Sequence, residues 1–337
     1  MGISKTRFRR FFEVQYISPC WLPRNPCGDK LNRMESSFVV IVQQVAVLFI
    51  LIAVGFVCTK FRFFSEKTIS ELAKFVLYIV IPCVIVNSFN REYDPAMLKN
   101  LGIAAAVAVT AHVFGILLAT LFIHDKNKSR ECILRFATVF SNCGFMALPL
   151  QQALLGDEGV FYCASFIVVF NIFTWTYGLF IMSGSEKRFS IKMIVNPGVI
   201  GVVLGTILFV SPVKLPRAVN SALQGIAALN TPIPMIIVGY YIAGISSFKV
   251  LKDVKLALVL LLRLIVIPFT FLAVLKLCGF SGTLAASMLI AVSCPVAVNI
   301  TMFSIMFKRD SQLAATCIAV STLLSIITLP LILVLFL

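Results

Sequence analysis

The sequence predicts an all-α membrane protein: ten transmembrane helices, arranged as two inverted five-helix repeats, each with one broken helix. Three observations carry this. The chain is 60% hydrophobic and only 13% charged, with a mean hydropathy of +1.00, outside the range of soluble domains. A shift of 150 residues lays one half of its apolar stretches over the other. Two stretches at equivalent places in the halves carry polar interruptions near their middles, the usual pointer to a carrier's binding site.

A crossing needs about 20 mostly apolar residues. Stretches of that kind lie near 38–58, 71–89, 101–123, 132–155, 160–183, 194–211, 218–244, 256–276, 284–307 and 312–336. The second and seventh are the weakest, because each contains proline and several polar residues. Most of the ten cysteines fall inside these stretches (Cys58, Cys83, Cys143, Cys163, Cys294, Cys317) without C-x-x-C or Cys/His spacing. They read as small apolar residues rather than a metal or disulfide framework.

The net charge of +15 does not indicate nucleic-acid binding, because the basic residues alternate between loops. The connections after the first, third, fifth, seventh and ninth stretches hold fourteen Lys and Arg. The other connections with the C-terminus hold five, counting Lys276 at the last residue of the eighth stretch. The positive-inside rule puts the first set in the cytoplasm and both termini outside. Residues 1–33 oppose this with seven basic residues. They lack a signal-peptide core, and Met34 followed by Glu35 and the first stretch reads as a natural start. The expected organisation is an extension over 1–35, disordered or mis-started, a first repeat over 36–183, a short cytoplasmic loop at 184–193 and a second repeat over 194–337.

At the 150-residue offset Gly55 meets Gly205, Pro82 meets Pro232, and the interruption at 141–149 meets that at 291–299. Five crossings per repeat is odd, so the second repeat sits upside down. The fourth stretch opens at Ser141-Asn142-Cys143-Gly144 and Pro149, the ninth at Ser293-Cys294-Pro295 and Asn299. Each then restarts as a half-helix whose N-terminus faces the midplane. Such an end carries unsatisfied N–H groups and roughly half a positive charge, so two facing one cavity make an anion site from backbone. Pro149 and Pro295 are expected in the first turns of the restarts, where a missing N–H costs nothing.

No Asp or Glu lies at the centre of a stretch, which argues against a carboxylate proton relay and an aspartyl protease. Arg263 is the one permanent charge well inside. It reads either as an attractor for an anion or as a side chain reaching the cytoplasmic interface. His112 reads first as a hydrogen-bonded structural residue, and Glu71 and Lys74 as an i,i+3 pair. Phosphate-binding glycine loops, H-E-x-x-H and G-x-S-x-G are absent, so no enzyme is expected.

Gly55, "YIVIPCVI" with Pro82, "SNCGFMALPL", "NPGVIGVVLG", "TPIPMIIVG" and "SCPVAVNITMF" follow one another over 36–337. This ordered series resembles the auxin efflux carrier family in its short bacterial, malate-permease-like form. The resemblance implies an architecture like that of the bile-acid symporters and sodium/proton antiporters, two inverted five-helix repeats with crossed broken helices. Its first, second, sixth and seventh helices would form a scaffold, which can pair as a homodimer, and the rest a mobile unit. It implies a small organic anion, of the carboxylate class, as substrate, held at the crossover by the matching Asn142, Gly144, Pro149, Pro295 and Asn299. The long cytoplasmic loop that plant members carry between the fifth and sixth helices is missing; here it is 184–193.

The expectation is therefore a multi-pass cell-membrane permease working by elevator-like alternating access. Asn142, Gly144, Pro149, Ser293, Pro295, Asn299 and Arg263 are its candidate substrate-binding residues. The lipid bilayer and the anion are its partners, with no nucleic acid. No cofactor is expected; Na⁺ or H⁺ coupling stays open, since bare carbonyls at the breaks could hold Na⁺. The alternatives are a Na⁺-coupled symporter and a membrane sensor or channel that does not cycle.

Overall fold

The computed structural model describes residues 43, 46–184, 197–211, 215–244 and 253–336. The extension over 1–35, all but the first residue of the 184–193 loop, and Asn196 lie outside them. The described residues are helical, with no strand longer than one isolated bridge. Eleven helices follow in order: α1 Ala46–Lys60, α2 Glu66–Phe89, α3 Pro95–Phe122, α4 Lys128–Val139, α5 Cys143–Ser183, α6 Pro197–Val210, α7 Arg217–Ala243, α8 Val254–Leu277, α9 Gly282–Ser293, α10 Asn299–Met306 and α11 Ser311–Phe336. Among the described residues, α2, α3, α5, α7, α8 and α11 are long and apolar enough to cross a membrane unaided. Gly156, at φ 64° and ψ −157°, divides α5 into limbs 143–155 and 157–183.

The two weakest sequence assignments, 71–89 and 218–244, are continuous helices. Their prolines are absorbed in a way the sequence did not reveal. A proline inside a helix lacks one donor and collides with the carbonyl four residues back. In α2 the turn Val76–Val80 widens to a π-turn, and the Ile81 amide donates to Val76 just before Pro82. The same device precedes Pro149, at Cys143–Ala147, and Pro268, at Leu262–Val266. A five-residue turn moves the clashing carbonyl aside. In α7 a 3₁₀ turn, Ala228–Asn230, stands ahead of Pro232.

Helix ends are set by side chains. Ser65 caps α2, Asp94 caps α3, and Asn127 caps α4 by accepting from Ser129 and Arg130, each supplying an acceptor for an otherwise orphan amide. At the Asn127 end of the bundle Arg130 pairs with Asp253, and Lys255 Nζ lies 3.0 Å from Asp125, tying the start of α4 to that of α8. The Asp125 carboxyl is held below its usual range, first by the Asn127 amide and then by Lys255. A depressed carboxyl stabilises the fold above its ordinary range and loses that effect as pH falls through the lowered value.

Two glycine pairs let neighbouring helices approach closely. A Cβ on Gly55 of α1 would overlap the backbone of Ile236 in α7, and one on Gly239 of α7 would overlap Ile52 and Phe56 of α1. In the same way Gly201 and Gly205 of α6 lie against Pro82 and Phe89 of α2. Membrane helices use small residues in this way because packing, not water exclusion, drives their association. Gly55→Val should cost about 1–3 kcal/mol or prevent assembly, whereas Gly102→Val, with nothing within 4 Å of its Cβ, should be neutral. Melting temperatures of the purified variants in detergent check this.

Candidate functional site

Between α4 and α5, and between α9 and α10, the chain leaves the helix for a few residues. The stretches 140–142 and 294–298 run past each other and pair. Ser141 and Val296 form an antiparallel bridge, the Asn142 amide donates to Pro295 O at 2.7 Å, and the Ala297 amide donates to Phe140 O at 3.0 Å. Two breaks that would each leave bare peptide groups in hydrocarbon thus satisfy one another. The Ser321 hydroxyl of α11 accepts from the Val296 amide at 3.1 Å.

Arg263 is 2% exposed and reaches the crossover from α8. Its Nε donates to Cys294 O at 3.2 Å, Nη1 to Val139 O at 3.1 Å and Thr138 O at 3.4 Å, and Nη2 to Val292 O. These are the terminal carbonyls of α4 and α9, where each helix carries roughly half a negative charge. The guanidinium therefore lies on backbone carbonyls, neither at the interface nor on the wall of the cavity described next.

The sequence-predicted residues divide into three groups. Asn142, Ser293 and Pro295 meet at the crossover and are buried. Pro295 does not open the restart as expected; α10 begins four residues later at Asn299, and the Pro295 carbonyl serves the bridge. Pro149 follows the π-turn rather than starting the limb. Gly144 lies in that turn with Ile81 3.4 Å from the place of a Cβ. Asn299 is half-buried and faces a cavity of about 520 Å³ bounded by α1, α2, α7, α10 and α11. The cavity runs from Thr59, Glu66, Gly244 and Ser311 at one end of the bundle to Phe145, Val298 and Asn299 beside both restarts.

Four side-chain atoms at or near the crossover have no hydrogen-bond partner among the described residues: Ser141 Oγ, Asn142 Nδ2, Ser293 Oγ and Thr322 Oγ1. Buried polar atoms without partners are rare and mark places where a further group is accommodated.

Sequence reasoning missed part of the wall. Lys74 does not pair with Glu71, which faces Lys67 instead at 4.0 Å. It lines the cavity, roughly 12 Å along α2 from Glu66, with no ion pair or hydrogen bond among the described residues. Tyr241 and Thr301, whose hydroxyls lie 3.3 Å apart, join α7 to α10 across it. The only sign available in sequence was a lysine placed in an otherwise apolar stretch. His112 does take the structural role, its Nδ1 donating to Ala108 O at 2.7 Å inside a ring of phenylalanines.

The far end of the bundle is closed by aromatic packing. The Phe161 ring of α5 lies 4.5 Å from Phe89 of α2 and 5.2 Å from Phe209 of α6, with the Arg91 guanidinium 5.3 Å above it. Among the described residues no group of three His, Cys, Asp or Glu could hold a metal.

Comparisons with known proteins agree with a transport role. A family model described as a membrane transport protein matches residues 40–194 and 185–333. The chain is 24% identical to an uncharacterized transporter of Methanothermobacter thermautotrophicus, over 84% of this chain and 94% of that one. It is 23% identical to one of Methanocaldococcus jannaschii, over 85% and 96%, and 21% identical to one of Escherichia coli, over 84% and 94%.

Removing the Arg263 donors would orphan four buried carbonyls, each at about 1–3 kcal/mol. Arg263→Met should therefore lower the melting temperature far more than Lys67→Met at the exposed pair. Differential scanning fluorimetry in detergent measures both.

Proposed function

Since this chain belongs to the membrane transport protein family of auxin efflux carriers, we propose that it is a permease for a small organic anion, a carboxylate, working by alternating access. The observation that carries this reading is the cavity that ends on Phe145 and Asn299, one residue from each helix restart. The limb 143–155 and α10 both begin there. The Cys143, Ile300 and Thr301 amides turn back onto the carbonyls of Ser141, Ala297 and Val298, and the dipoles of the two N-terminal ends add to roughly one positive charge. A single carboxylate balances that charge. Asn142 Nδ2, buried and without a partner among the described residues, stands ready as a side-chain donor, and Asn299 lines the wall.

Counting each broken pair as one crossing gives ten crossings in two sets of five. Reciprocal packing supports the inverted repeat: Gly55 of the first helix lies on α7, and its counterpart Gly205 lies on α2. In this reading α1, α2, α6 and α7 are the scaffold, and the helices carrying the crossover move against them. The cavity reaches Thr59, Glu66, Gly244 and Ser311, at the end whose loops carry most of the Lys and Arg, the cytoplasmic side by charge. The Phe89–Phe161–Phe209 cluster closes the other side. Past the Glu66 carboxylate at the mouth, Lys74 gives the passage a cation on the way to the restarts. The membrane potential, negative inside, drives a single anion outward at about 2.3 kcal/mol per 100 mV.

Counterflow of labelled monocarboxylates in proteoliposomes tests the reading. Trans-stimulated exchange is expected; flux without trans-stimulation would mean a channel, and binding without flux a sensor. Asn142→Ala and Asn299→Ala should each reduce exchange by about tenfold or more, the worth of a charge-assisted hydrogen bond, while the protein stays monodisperse. Wild-type exchange in both would remove the crossover from the binding site. Lys74→Gln should raise the half-saturating anion concentration with little loss of stability, and unchanged saturation would take Lys74 out of the pathway.

A further inference from the structure

We propose that Arg263 is a resident cation occupying the place that a coupling ion takes in ion-driven carriers with broken helices, and that carboxylate transport by this protein is therefore independent of Na⁺. The inference rests on the carrier reading above and adds its coupling.

The argument is one of charge. A crossover brings together four helix ends: two N-termini, at 143 and Asn299, and two C-termini, at Val139 and Ser293. Each pair sums to about one elementary charge, positive for the first and negative for the second. The positive pair faces the cavity and suits an anion. The negative pair, buried in the same unit, needs a cation, and carriers commonly place Na⁺ on carbonyls of this kind.

Here that position is filled. The guanidinium of Arg263 donates to Thr138, Val139, Val292 and Cys294, taking two carbonyls from each terminus. No carboxylate pairs with Arg263 among the described residues, so the helix ends are its counter-charge. One fixed positive charge against two half-charges leaves no electrostatic demand for a second cation. A guanidinium also suits the place because its donors fan out in a plane toward several acceptors and stay protonated. It travels with the crossover through every step and cannot be released.

The test has two parts. Counterflow by wild-type protein should be the same in Na⁺ and in choline medium; stimulation of severalfold by Na⁺ would overturn the proposal. Arg263→Ser empties the position while leaving the carbonyls. Its melting temperature in detergent should rise with added Na⁺ or guanidinium ion and not with choline, while that of wild type does not respond. Arg263→Lys keeps a cation and should stay insensitive. An Arg263→Ser protein that is as stable in choline as in Na⁺ or guanidinium, or that forms in none of them while Arg263→Lys forms only with Na⁺, would also overturn it. The stability readout needs no substrate, so a failure of the carrier reading shows separately, as absent counterflow in both media.

Discussion

The structure depends on the mutual neutralisation of two helix breaks. Opening a helix away from water leaves amides and carbonyls without partners, each costly enough that membrane proteins avoid it unless protein fills the gap. Here each break fills the other. Phe140 and Pro295 give carbonyls, Asn142 and Ala297 give amides, and Ser321 takes the Val296 amide. Arg263 then binds the carbonyl ends that the bridge cannot reach. The N-terminal ends of the two restarts lie on the other side of the crossover, and the cavity reaches them at Phe145 and Asn299.

The surrounding helices are shaped by the same need to keep the backbone bonded. Three prolines, Pro82, Pro149 and Pro268, each follow a π-turn that shifts the ladder by one residue. The turn in α5 coincides with the restart beside the crossover, so the proline there widens the mouth of a half-helix instead of capping it. Glycines play a complementary part. Gly55 with Gly239, and Gly201 with Gly205, let α1 approach α7 and α6 approach α2 at backbone distance. These helices form one side of the cavity, and among the described residues the Tyr241 and Thr301 hydroxyls make a polar contact from it to α10.

Much of the site was legible in the sequence for a simple reason: polar residues inside hydrocarbon are expensive and therefore conspicuous. Asn142, Ser293 and Asn299 stood out in this way and Pro295 as a helix breaker, and all lie at the crossover or on the cavity wall beside it. Lys74 was misread because i,i+3 spacing to Glu71 offered a local partner. The rotamers instead send Glu71 back toward Lys67 and leave the lysine in the cavity. Arg263 was noticed but could not be placed, since its partners come from 29 to 125 residues away and are carbonyls, which every residue possesses.

The sequence by itself determined that the chain is a helical membrane protein, where its helices break, and which side chains lie at the breaks. Hydropathy and residue punctuation are local properties, readable one segment at a time. Only the tertiary structure decided that the breaks cross and hydrogen-bond to one another, that Arg263 serves four helix-end carbonyls, and that Lys74 and Asn299 share one cavity. Those facts depend on backbone groups from distant segments meeting in space. Backbone carries no sequence signal, so the pairing exists only once the helices have packed.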